Sequence, residues 1–212
     1  MSKSIEEEDK LELLMDETSS SLSLTSIMAM VSFFFIGLLL QTREGSLATL
    51  KMPLLYLFVS AFAFLYSTLI YANASGNIAR LKDELAEKHL IAGNIISEFL
   101  GVYLIVFSMP MIISNYIDSL YFSATVFGFG VTGFWLYHQL GYSILQRYVK
   151  NAKLFYLLLF FVVTIYASNF FTYIFSVDLF LIVTSVIIFF TVVILVGYAI
   201  YCRDEKIDYL HK

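Results

Sequence analysis

Long apolar runs separated by short polar segments make up most of the chain after its first twenty or so residues. A transmembrane helix needs about 20 mostly apolar residues to cross about 30 Å of hydrocarbon. The apolar residues follow one another without regular alternation, which favours membrane helices over the strands of a barrel. The pattern predicts an all-α, polytopic integral membrane protein with six transmembrane helices, at Leu22–Leu40, Pro53–Ala72, Ile91–Ile113, Leu120–Tyr142, Leu154–Phe175 and Leu179–Tyr201.

Polar tails flank this transmembrane domain, which covers residues 22–201. Residues 1–21 form an acidic N-terminal tail, and residues 202–212 form a short C-terminal tail. Two interpretations of the N-terminal tail stay open. It is either a flexible segment with a partly helical stretch or a helix on which a partner docks.

The polar segment between the second and third spans has a pattern of its own. Ile78, Leu81 and Leu85 recur at helical spacing, which predicts a cytoplasmic helix over residues 77–90 that runs into the third span. In the fourth span, small residues at a spacing of four predict tight helix packing, at Ala124, Gly128 and Thr132.

Lys and Arg residues indicate the orientation, because they are retained on the cytoplasmic side of a membrane. With six spans, eleven of the thirteen Lys and Arg residues fall on one side, and only Arg43 and Lys51 fall on the other. Both termini are therefore predicted to be cytoplasmic, and the cell membrane is the expected location. A glycan on Asn73, in the sequon Asn73-Ala74-Ser75, would invert this topology.

Composition narrows the classes of protein. Hydrophobic residues make up 59% of the chain and charged residues 14%, whereas a soluble domain is about a quarter charged. Cys202 is the only cysteine, which excludes an intrachain disulfide and a cysteine zinc cage. No basic stripe indicates a nucleic-acid partner. Without a recognisable catalytic motif we expect neither an enzyme nor a cofactor or metal centre.

Ionisable residues within a span are the strongest candidates for function, because burying them in a membrane is costly. Glu98 is the only acid well inside a predicted span, and His138 is expected at a similar depth on the neighbouring antiparallel helix. Asn94 lies one turn from Glu98, and Gln139 adjoins His138. These four residues predict a cation or proton site, in which His138 titrates near neutral pH. The alternative is an interhelical hydrogen bond that only fixes the packing.

Two functional hypotheses follow. The first is a small channel or transporter for a cation or proton, surrounded by the lipid bilayer and acting as a homo-oligomer. The second is a non-catalytic accessory or assembly subunit of a membrane protein complex, with the N-terminal tail and the helix over residues 77–90 as contact surfaces. Co-purification of a stoichiometric partner would favour the second.

Overall fold

The computed structural model describes residues 2–41, 50–117 and 119–139, together with five isolated positions at 153, 156, 160, 164 and 167. Every regular element within these residues is a helix, as predicted. The predicted spans Leu154–Phe175 and Leu179–Tyr201 lie outside the described residues apart from the isolated positions, and the C-terminal tail lies wholly outside them. The helices are α1 (Ser2–Leu40), α2 (Lys51–Ile78), α3 (Asp83–Ile96), α4 (Tyr103–Tyr116) and α5 (Leu120–Gln139).

A π-helical segment, Ser97–Val102, joins α3 to α4. The three pieces form one continuous helical rod, which we call the α3–α4 rod. Four helices in the described part of the chain are long and apolar enough to cross a membrane, and they correspond in order to the first four predicted spans. They are Lys10–Leu40, Lys51–Ile78, Glu84–Tyr116 and Leu120–Tyr137.

Helix α1 is far longer than the span predicted within it. Its 39 residues would extend about 58 Å at 1.5 Å per residue. The segment predicted as an N-terminal tail is helical from Ser2 and continues into the span without a break. Buried residues recur at intervals of three, four or seven positions, at Leu14, Thr18, Thr25, Ala29, Ser32, Ile36 and Leu39. This stripe is the face that α1 presents to the rest of the bundle.

Three members of the stripe are small and hydroxylated, and they recur every seven residues. Thr18, Thr25 and Ser32 each donate a hydrogen bond to a carbonyl one turn earlier in α1, at 2.7, 2.8 and 2.7 Å respectively. The hydroxyls are thus satisfied inside their own helix, and the small side chains let the neighbouring helix approach. Thr68 of α2 lies there, with its hydroxyl 3.0 Å from that of Thr25.

Helix α2 packs along both α1 and the α3–α4 rod, and α1 also contacts α3. One apolar cluster fills the α1–α2 interface near the α1–α2 connection, with Ile36, Leu39, Leu50, Leu54, Leu57 and Ala61. A second apolar cluster lies at the other end of the α1–α2 interface, near the α2–α3 turn. It includes residues of α1, α2 and α3, at Leu14, Tyr71, Ile78, Ala86 and Leu90.

The predicted helix over residues 77–90 requires a correction. Helix α2 ends at Ile78, a turn follows, and α3 begins at Asp83. The chain reverses in this turn, where Leu81 adopts a positive φ of 56°. Ile78 is buried, whereas Leu81 is 79% exposed, so the two do not share a helical face. From Asp83 onward the helix does continue into the third span.

A repeated contact joins α2 to the α3–α4 rod. Ser67 donates a hydrogen bond to the Gly93 carbonyl at 3.0 Å, and Ser60 donates one to the Gly101 carbonyl at 2.8 Å. One turn after each serine, a buried ring covers the same glycine. A Cβ on Gly93 would lie 2.5 Å from the Tyr71 ring. We call each serine, ring and glycine set a glycine clamp.

Phe64 forms the matching half of the second clamp, because a Cβ on Gly101 would lie 2.6 Å from its ring. The two serines are seven residues apart in α2, but the two glycines are eight residues apart in the rod. Most of the π segment lies between those glycines. Its i→i+5 bonding fits one more residue into a turn, and so brings both clamps into register.

Aromatic rings pack α5 against the rod. Phe134 stacks on Phe107 with ring centroids 5.3 Å apart, and it packs at a tilt of 48° against Tyr103, with centroids 4.2 Å apart. Phe127 contacts Phe107 at 5.6 Å. Among the described residues, nothing lies within 4 Å of a Cβ built on Gly128, the middle member of the predicted stripe of small residues on α5. In the described chain, Gly93 and Gly101 lie against aromatic rings, and Gly130 of α5 lies against Val106, where an added Cβ would be 3.0 Å from Cγ1.

Candidate functional site

A cavity of about 460 Å³ lies between α1, α2 and the α3–α4 rod. Its polar lining comes from all three and from α5. Helix α1 contributes one carboxylate and three hydroxyls, α2 and α5 contribute one phenol each, and the rod contributes an amide, a hydroxyl and a second carboxylate. In chain order these are Glu17, Ser20, Ser21, Thr25, Tyr71, Asn94, Ser97, Glu98 and Tyr137.

Glu98 is the deepest charged group of this cavity, with only 4% of its surface exposed. It lies in the first turn of the π segment. The Tyr103 hydroxyl lies 3.5 Å from its Oε1, at the limit of a hydrogen bond. A π segment inside an α-helix often marks a functional site. Here it carries the carboxylate and also aligns the glycine clamps.

Tyr71 connects α2 to the polar residues of the rod. Its hydroxyl donates to Asn94 Oδ1 at 2.5 Å and lies 3.3 Å from Ser97 Oγ. Ser97 Oγ in turn donates to the Asn94 carbonyl at 3.1 Å. The Tyr71 ring is held by the clamp on Gly93, so its hydroxyl has little freedom to move. This network orients the Asn94 amide at the wall of the cavity.

Glu17 is a residue of the site that the sequence analysis did not select. It was assigned to the N-terminal tail because Glu6, Glu7, Glu8 and Asp9 make that segment strongly polar. The seven-residue repeat of Thr18, Thr25 and Ser32 is the signal that would have placed Glu17 on a packed helix, since such a repeat keeps one face toward a neighbour.

The four predicted site residues divide into two pairs. Glu98 and Asn94 line the same cavity. His138 and Gln139 lie at the end of α5, where only their backbone is described. Ring contacts between α4 and α5 pair residues 103 with 134 and 107 with 127, and this antiparallel register carries the backbone of residue 138 to about the level of Glu98. The preceding residue, Tyr137, lines the cavity.

The remaining lining of the cavity is largely apolar, with Leu24, Met28, Phe64 and Val102. No three His, Cys, Asp or Glu side chains come together anywhere in the described residues. The polar groups that line the cavity are two carboxylates, one amide and several hydroxyls. Because the carboxylates are negatively charged, this set suits a positively charged guest better than an anion.

The described part of the chain thus defines an all-helical protein with four helices able to cross a membrane and a carboxylate-lined cavity between three of them. Comparison with known proteins adds no relative: no protein-family model, no curated protein and no solved structure matches this chain.

Proposed function

We propose that this chain is a small multi-pass membrane protein that transports a cation or a proton, as a channel or a transporter, and that the cavity is its ion site. The observation that supports this proposal is the presence of Glu17 and buried Glu98 in one cavity between apolar helices. A buried carboxylate is costly unless it is protonated or paired with a positive charge. A cation or proton that enters the cavity gains attraction from both carboxylates.

The cavity also offers neutral ligands. Hard cations are bound by carboxylate, carbonyl, amide and water oxygens, and hydroxyls from α1 and the rod lie beside the two acids. His138 and Gln139 remain candidates for the α5 side of the site, with His138 as a titratable partner.

Flux into proteoliposomes tests the proposal. A charge-assisted hydrogen bond contributes about 1.5–3 kcal/mol, so Glu98→Gln should lower cation affinity by about 10- to 150-fold. Glu17→Gln should act in the same direction. Glu12→Gln is the matched control, because Glu12 is an exposed acid on the same helix. Wild-type flux that is equal to that of both cavity variants would contradict the proposal.

The proposed topology has six spans, with both termini in the cytoplasm. The proposed location is the cell membrane. Cys202 is the only cysteine, so a membrane-impermeant maleimide reports the side of the C-terminal tail without further engineering. Labelling only after permeabilisation is expected. Ser4→Cys in a Cys202→Ser background reports the other terminus in the same way.

A second function, as an accessory or assembly subunit, is favoured by one feature of α1. Among the α1 residues whose side chains the structure describes, which begin at Lys10, the first that packs on the second apolar cluster is Leu11. Residues 2–10 continue the helix beyond it for about 13 Å, and they include four consecutive acids, Glu6 to Asp9. A partner that co-purifies in fixed stoichiometry, and is lost when residues 2–10 are deleted, would support this function. The same purification reports whether the chain is a homo-oligomer.

A further inference from the structure

The cavity has two chemically different ends. Along α1 its lining residues proceed from Glu17 and Ser20 to Leu24 and Met28, a distance of about 16 Å along the helix axis. The first part of this stretch is polar and charged. The last part is apolar except for Thr25, whose hydroxyl donates to the Ser21 carbonyl within α1.

The neighbouring helices follow the same order. Helix α2 runs antiparallel to α1, with Thr68 beside Thr25, so Tyr71 lies toward the polar end and Phe64 toward the apolar end. On the rod, Asn94 bonds to Tyr71, and Val102 lies about two turns farther on. Glu98 lies between those two positions. On α1, α2 and the rod alike, the polar lining residues therefore lie at one end of the cavity and the apolar lining residues lie toward the other.

The size of the cavity also restricts its guest. A water molecule takes about 30 Å³ of liquid volume, whereas the cavity holds about 460 Å³, within the range of about 300–1,000 Å³ that is typical of pockets for organic ligands. A dehydrated metal ion is coordinated by about six to eight oxygens at about 2.0–2.6 Å. Four lining residues, Leu24, Met28, Phe64 and Val102, have no side-chain oxygen to offer.

We propose that the cavity binds an organic ammonium ion, a primary or quaternary amine that carries an apolar group. This inference rests on the proposed cation-transport function and names its substrate class. The ammonium group lies among Glu17, Asn94 and Glu98, where two carboxylates offset its charge. Its apolar group lies along Met28, Phe64 and Val102. The rings of Tyr71 and Tyr137, which also line the cavity, add cation–π attraction for the charged group.

Ligand binding to the full chain in detergent, measured by calorimetry, tests the inference. The probes are phenethylammonium, its uncharged counterpart phenethyl alcohol, methylammonium, sodium and potassium. We expect phenethylammonium to bind at least about tenfold more tightly than either the alcohol or methylammonium, a difference of about 1.4 kcal/mol. Glu98→Gln should remove the preference over the alcohol.

A second variant tests the apolar end and does not depend on Glu98. Met28→Trp should fill that end, weakening phenethylammonium but leaving methylammonium unchanged. Met30→Trp is its matched control, since Met30 lies on the same helix but is 65% exposed and outside the cavity. Equal effects of the two tryptophan variants on phenethylammonium would overturn the inference.

The results of these experiments distinguish the organic-ammonium inference from the proposed cation-transport function on which it rests. Sodium or potassium flux that depends on Glu98, with no binding of either phenethylammonium or dodecylammonium, would retain cation transport and overturn the organic substrate. No Glu98-dependent binding or flux of any cation would overturn both. Dodecylammonium added in vesicles distinguishes the source of the amine. If it binds and phenethylammonium does not, the ligand enters from the membrane. If both bind, it enters from water.

Discussion

Gly93→Ala is the substitution that tests the α2–rod packing most directly. Gly93 lies in α3, and its carbonyl accepts a hydrogen bond from Ser67. An added Cβ would lie 2.5 Å from Cε1 of Tyr71 and 2.8 Å from its Cζ. Carbon atoms in contact are normally about 3.5–4.0 Å apart, so either the ring or the helix must move.

The ring has little room to move, because Tyr71 is 1% exposed and its hydroxyl bonds to Asn94. Overpacking a well-packed core costs about 1–3 kcal/mol, and losing the tyrosine hydrogen bond adds about 1 kcal/mol. Alanine also favours a helix over glycine by about 1 kcal/mol, which acts in the opposite direction.

A matched control variant cancels the gain in helix propensity that alanine has over glycine. Gly76 is also helical, but a Cβ there would meet nothing within 4 Å. Gly76→Ala gains helix propensity without a clash, so the two alanine variants should differ by the packing cost alone. We expect Gly93→Ala to be less stable than Gly76→Ala by about 2–4 kcal/mol.

Equilibrium unfolding in mixed detergent micelles, followed by circular dichroism, measures this difference. A double-mutant cycle supplies the mechanism. With Tyr71→Leu in place, the clash partner of Gly93 is gone, and Gly93→Ala should cost much less than it does beside the tyrosine ring. Equal stabilities of Gly93→Ala and Gly76→Ala in the native background would refute the close contact.

Three further predictions use the same unfolding measurement. Phe134→Ala should lower the free energy of unfolding by about 3–5 kcal/mol, because Phe134 is buried among rings of α4; Phe129→Ala, at a position 74% exposed, should cost far less. Leu81→Gly should stabilise the chain by about 1 kcal/mol, because Leu81 has a positive φ; Leu85→Gly, inside α3, should destabilise it by a similar amount. Ser67→Ala should cost about 0.6 kcal/mol, the average for an interhelical hydrogen bond in a membrane protein, and no cost would contradict the bond.

The first four spans, which are α1, α2, the α3–α4 rod and α5, were predictable from local pattern because a helix satisfies its own backbone hydrogen bonds. Each apolar run therefore indicates its own helix without reference to the others. The predicted first span ends at Leu40, as α1 does, and the predicted fourth span begins at Leu120, as α5 does. The turn at Leu81 was missed because an isolated leucine at helical spacing gives no sign that the chain reverses there.

The candidate site was only partly predictable. Glu98 and Asn94 were found because a carboxylate and an amide in an apolar run are conspicuous. Glu17 was missed because it follows other acids, and nothing in its neighbours shows that α1 packs against α2 at that level. The predicted contribution of His138 and Gln139 stays a prediction, since their side chains lie outside the described part of the structure.

The amino-acid sequence alone determined that the chain forms long apolar helices, because that property depends on composition within about 20 residues. Tertiary structure decided which of their faces meet. Within the described part of the chain, Gly93 and Gly101 are the glycines in close contact with aromatic rings. Tertiary structure also placed a π segment where seven residues of α2 face eight of the rod. Such matches depend on the relative register of two helices, which no single run of residues contains.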